Sequence, residues 1–210
     1  MADDQIEYEE ELSREDLAIH EAGHAIAFLL AGCPFHSVTI EEEVTEHGIL
    51  DGSIIPDPKR AERFSKQNPP MAAIMYFVNA CAADVAVAKS RGKETTPFIM
   101  RDAEDESGDD ASKLFTMARA YKLTIEKAGE YSIGIAFELF SLTSVWDAVE
   151  RIRDMLLERV TVPYSDIAKS FYATVSKKDL KLARDYLAKW GNDLYARAER
   201  LQYVQARRLG

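Results

Sequence analysis

Between Ser13 and Gly32 the apolar positions Leu17, Ala25, Phe28 and Leu29 fall at broadly helical spacing. Ser13 followed by Asp16 resembles a capping box, and Gly32 with Pro34 beyond it supplies the stop, so a helix is predicted between them. The pattern then changes. Residues Ser37 to Ile40 read as a strand, and Gly48 to Ile55 as a second strand or as a hairpin about Asp51-Gly52. Pro69-Pro70 precedes a strongly apolar helix over about Met71 to Lys89, rich in alanine and so able to pack closely. Residues 91–109 read as a loop. A helix over Asp110 to Tyr121 turns Leu114, Met117, Ala118 and Tyr121 inward. Further on, Val145, Trp146, Val149, Ile152, Leu156 and Val160 keep a 3.6-residue period. Another helix follows Ser176, with Asp179 as its capping partner, and is expected to end at Gly191. Asn192 would cap a final basic helix through Arg208. The pattern predicts a mostly helical α+β domain with a small early β-sheet.

Composition narrows the class. The chain has 210 residues, 47% of them hydrophobic and 30% charged, which suits one domain or two small ones with a real core. Its net charge of −10 argues against general nucleic-acid binding, which needs clustered Lys and Arg. No unbroken apolar run, Ala25 to Ala31 included, approaches the ~20 residues of a membrane span. The acidic start has no basic or apolar leader pattern. Cys33 and Cys81 alone cannot form a disulfide framework and read as small apolar fillers. These features lead to the expectation of a cytoplasmic protein with no membrane segment. Charge is uneven: residues 1–60 hold 15 acidic and 3 basic side chains, whereas residues 151–210 hold 7 and 13. Two differently solvated faces account for this, and the sharper reading is self-association (a homo-oligomer) or a basic docking surface at the C-terminal end.

One motif carries chemistry. His20-Glu21-Ala22-Gly23-His24 matches H-E-x-x-H within the first helix. Residues i and i+4 share a helix face, so both imidazoles can reach one ion, while Glu21 lies about 100° round the helix. A zinc ion held there would acidify a water to a pKa of about 7 and polarise a carbonyl, with Glu21 as general base. Catalytic zinc usually takes a third protein ligand. The longer metzincin motif is excluded, because Ala27 and Leu30 stand where it needs Gly and His. His36 and His47 read as surface imidazoles near strand ends. An acidic ligand is left, with the acidic cluster before the Asp110 helix as its natural source. Asp84 is the competing candidate, either as ligand or as acceptor from a ligand imidazole.

Ala18-Ile-His-Glu-Ala-Gly-His-Ala25 resembles the protease helix of the FtsH family of ATP-dependent zinc proteases. His36-Ser-Val-Thr-Ile40 is similar to that family's His-Lys-Val-Thr-Ile strand. Asn79-Ala-Cys-Ala-Ala-Asp84 stands where the family has its Gly-Gly-Arg-Ala-Ala-Glu-Glu helix. Gly108-Asp-Asp-Ala-Ser-Lys, with Ala118-Arg119 beyond, resembles the Asn-Asp segment that supplies the family's third zinc ligand. The resemblance covers about residues 14–122. It implies a zincin-like FtsH-type peptidase domain, one zinc per chain, and Asp110 as the ligand beside His20 and His24. Gly92-Lys93 is followed by Glu94, so the chain has no phosphate-binding loop. The second strand reads Leu50-Asp51-Gly52-Ser53 where the family usually has Leu-Gly-Tyr. The expected organisation is an acidic N-terminal tail (1–12), a zinc-binding catalytic core (13–125), and a helical part of the same domain (126–210).

The expected activity is zinc-dependent hydrolysis of peptides or unfolded protein segments, aligned along a strand edge near residues 47–55. Two other functions fit the same residues. One is a metal-binding regulatory or interaction protein that cleaves little, and the other a regulatory protease with a single partner.

Overall fold

The computed structural model describes residues 13–45, 48–92 and 109–209, with side chains described for 13–41, 52–92 and 112–198. The acidic tail, His47 and residues 93–108 of the expected loop lie outside the described residues. So does the Asp110 side chain.

Helix α1 (Arg14–Ala31) begins where Ser13 Oγ accepts from Asp16 N–H, and it ends at Gly32 in the left-handed region (φ +77°). Strand β1 (Phe35–Thr45) pairs antiparallel with β2 (Gly48–Pro56). Thr45 pairs with Gly48, and β2 continues through Asp51-Gly52, so no hairpin is centred on that pair. Helix α2 (Pro58–Gln67) starts on the Asp57 cap and buries none of its residues. Helix α3 (Pro69–Ser90) is the central element. Then come α4 (Asp109–Tyr121), α5 (Ile125–Ser141) and α6 (Thr143–Arg159). The short strand β3 (Thr161–Pro163) precedes α7 (Tyr164–Thr174) and α8 (Lys177–Leu209).

The sheet order is β2-β1-β3, all antiparallel. β3 comes from the C-terminal part, pairs with Ser37–Thr39, and is tied across by Thr39 Oγ1 and Thr161 Oγ1 at 2.7 Å. The period-3.6 reading missed this strand because it spans only three residues. Val160 makes the turn into it with φ +61°, a strained value for a β-branched residue, and its carbonyl accepts from Ile40 N–H at 2.9 Å.

Helix α3 packs on α1, α4, α5 and α8, while α1 also packs on α6. Buried apolar residues from both halves, Leu30 and Phe77 as well as Ile135, Ile152 and Leu187, form one contiguous core. α3 is long and apolar enough to cross a membrane, which no apolar run in the sequence suggested. Burial among its neighbouring helices accounts for that character, since 78% of the apolar stretch is inside the protein.

Two expectations need correction. Gly191 does not end a helix: α8 runs unbroken from Lys177 to Leu209, and Asn192 caps nothing. A Cβ at position 191 would overlap the Pro70 carbonyl, so this glycine answers a close approach of α3 to α8 and not a helix stop. Asp179 N–H does donate to Ser176 Oγ at 3.0 Å, one arm of the second capping box, while Ser144 Oγ stands in the other arm, accepting from Ser176 N–H and donating to Asp179.

Candidate metal centre

The sequence places His20, Glu21 and His24 in the middle of α1, and the packing of α3 gives them their surroundings. Gly23 lies between the two histidines. A Cβ there would stand 2.9 Å from both the Ala82 carbonyl oxygen and the Ala86 Cβ, so α1 and α3 meet almost backbone to backbone. Ala82, Ala83 and Ala86 keep the facing surface low. That approach brings the polar residues of α3 within reach of the imidazoles.

Asn79 is one of few polar side chains buried in the core, and its Oδ1 lies 3.2 Å from His24 Nδ1. An amide oxygen only accepts, so this contact calls for the His24 proton on Nδ1, the tautomer that leaves the ring lone pair on Nε2. Asp84, one and a half turns further along α3, places Oδ1 3.8 Å from His20 Nδ1, within ion-pair range. The two imidazoles meet edge to face with their centroids 4.8 Å apart. Each therefore has an α3 oxygen on its Nδ1 side. Such outer partners fix the tautomer and orientation of metal-binding histidines.

Glu21 is 3% exposed and points toward the sheet. Gly52 has φ +76°, and a Cβ there would stand 3.0 Å from both Glu21 Cγ and Oε1. The register explains this contact. Thr39 faces Ser53 and Glu42 faces Asp51, so Ile40 and Glu41 together oppose Gly52 in a β-bulge. A residue without a side chain, in a backbone conformation that favours glycine, lets β2 touch the Glu21 carboxylate. β2 is the end strand of the sheet, and among the described residues it pairs only with β1.

A further contact braces the frame. Arg91, at the end of α3, donates through Nε and Nη2 to Asp16 Oδ1 and Oδ2 at 3.0 and 2.8 Å. This hydrogen-bonded guanidinium holds the Asp16 carboxyl down at about 2.

Two imidazoles on one helix face, His24 hydrogen-bonded from behind and His20 with a carboxylate at ion-pair distance, fit a borderline-soft divalent ion such as zinc. Among the described residues, no three His, Cys, Asp or Glu side chains converge as a complete metal site. Asp84 is beside Nδ1 of His20, the place of an outer acceptor. Asp110 is in the first turn of α4, which packs on α3. His36 is exposed on β1, as a surface imidazole should be. Cys33 and Cys81 are buried, and burial pushes the Cys33 thiol up to about 11, so it is not poised as a thiolate ligand. Asn79 stands in the sequence only within the stretch that resembles the FtsH-family helix. Its signal was a lone amide within an otherwise apolar helical run. No protein-family model matches the chain, and no curated protein matches it in sequence.

Proposed function

We propose that the chain is a zinc-dependent metallopeptidase with a zincin-like, FtsH-type peptidase fold, hydrolysing peptides or unfolded segments. The observation that carries this reading is the buried Glu21 carboxylate, on the same helix turn as the two imidazoles and against the end strand of the sheet. A structural metal site gains nothing from such a carboxylate, whereas hydrolysis needs one.

His20, His24 and Asp110 would hold the ion. Zinc, when bound, supplies Lewis acidity that polarises the scissile carbonyl and acidifies water. Glu21 then acts as the base, taking a proton from the attacking water and returning it to the leaving amine. Asn79, accepting from His24 Nδ1–H, would leave the His24 lone pair on Nε2 for the ion, and the Asp84 carboxylate lies on the Nδ1 side of His20 at ion-pair distance. The outer edge of β2 offers backbone N–H and C=O groups to an extended substrate, with the bulge at Gly52 bringing that edge to Glu21.

Metal analysis combined with a peptide-library cleavage assay tests this reading. The expected result is one zinc per chain and cleavage that a chelator abolishes and zinc restores. Zinc-loaded protein that cleaves no peptide would favour the regulatory metal-binding reading instead.

A further inference from the structure

A second feature lies beyond the C-terminal end of α1. Gly32 follows His24 by eight residues, about 12 Å along the helix axis. Here α1, α2, α8 and the start of α3 enclose an open groove of about 520 Å³. Arg60, Arg63 and Arg184 line it, around a floor that includes Pro34, Phe64 and Met71. Among the described residues, no acidic side chain lines the groove.

Two of the arginines are held in place by the fold. The Arg60 guanidinium stacks over the Tyr164 ring, 5.3 Å from its centroid. Asp57 caps α2 by accepting from Arg60 N–H through Oδ1, and its Oδ2 lies 3.9 Å from Arg60 Nε. Arg184 donates to the Leu30 carbonyl and to Tyr172 Oη, both at 3.2 Å. Their positions are therefore fixed before any ligand arrives, which lowers the ordering cost of binding. Arg63 follows Arg60 at i+3 on α2 and precedes Phe64, so one helix face presents both charge and apolar surface.

We infer that this groove docks an acidic peptide segment of a partner protein, one in which glutamate or aspartate flanks an aromatic or aliphatic side chain. Charge complementarity selects the acid: three arginines line the groove, and Asp57 beside Arg60 offsets only one of them. The apolar floor selects a side chain between the acids, and the volume far exceeds a single phosphate. A nucleic-acid backbone would leave Phe64 and Met71 uncovered and would find only three cations. This inference does not depend on the metallopeptidase reading, and its test measures binding alone.

The test is fluorescence anisotropy of the full chain with a short labelled peptide in which glutamates flank phenylalanine and leucine. Binding should weaken with salt and by at least about tenfold in Arg63→Glu, an exposed position whose change leaves the circular dichroism spectrum intact. The matching lysine peptide and an all-glutamate peptide should both bind at least about tenfold more weakly. Unchanged affinity in Arg63→Glu, or equal binding of either control peptide, would overturn the proposal. So would displacement of the probe by inorganic phosphate or a short RNA at lower concentration than by unlabelled peptide. A synthetic peptide of residues 1–12 that outcompetes every other ligand would replace the partner with the chain's own acidic segment.

Discussion

The carboxylate of Glu21 occupies the space that a side chain at position 52 would need: Gly52, on another element and at φ +76°, leaves a gap of 3.0 Å from its ideal Cβ position to Glu21 Oε1. This contact joins the H-E-x-x-H helix to the end strand. Gly52→Ala should therefore act twice. The left-handed backbone costs a non-glycine residue about 1–2 kcal/mol, read as a lower denaturation midpoint. The new methyl group also pushes the flexible end of Glu21 aside. Peptide turnover should fall about ten- to a hundredfold, mostly in kcat, with zinc content unchanged. Wild-type kcat in folded Gly52→Ala would show that the contact does not position the base.

Asn79 orients His24 from the opposite side. Asn79→Ala should lower zinc affinity about 10–100-fold, measured by competition with a chelating dye. Asn79→Asp, which keeps an acceptor at the same place, should recover most of it. Equal affinities in all three proteins would mean that the 3.2 Å contact does not tune the ligand.

The site helix was legible because its signals are local. Ser13, the H-E-x-x-H spacing and Gly32 each act within one turn, and the structure starts and stops α1 where they say. Asn79 and Gly52 were harder to read, because their meaning depends on what packs against them from far along the chain. Gly191 misled for the same reason: a glycine that ends a helix and one that lets a neighbouring carbonyl approach look alike in sequence. β3 is too short to show a period, and it acquires its partner only when α6 brings it back to Ser37.

Asp16 and Arg91 tie the start of α1 to the end of α3, and the pH dependence of stability should show it. The folded pKa of about 2 lies below the ordinary 3.8, so the pair stabilises the protein above pH 3.8 and loses that contribution as pH falls toward 2. After solvent screening the contribution is about 1 kcal/mol. Asp16→Asn should be less stable than wild type at neutral pH by that amount, and the difference should vanish near pH 2. Parallel stability curves across the acid range would contradict the assignment.

The third ligand separates two carboxylates. Asp84 faces His20 Nδ1 at 3.8 Å, so Asp84→Asn should weaken zinc by about 10–100-fold without abolishing it. Asp110→Asn should remove stoichiometric zinc altogether. If Asp84→Asn loses the metal while Asp110→Asn keeps it, Asp84 is the ligand, and Asp110 serves only the α4 N-terminus.

Zinc content and peptide turnover, measured together in Glu21→Gln, test the central claim most directly. The amide fills nearly the same volume against Gly52 but cannot take a proton at neutral pH. The variant should hold one zinc per chain, as the wild type does, while hydrolysis falls by ~10²–10⁴-fold or more. Turnover equal to wild type in zinc-loaded Glu21→Gln would show that Glu21 is not the base and would contradict the metallopeptidase reading of this site.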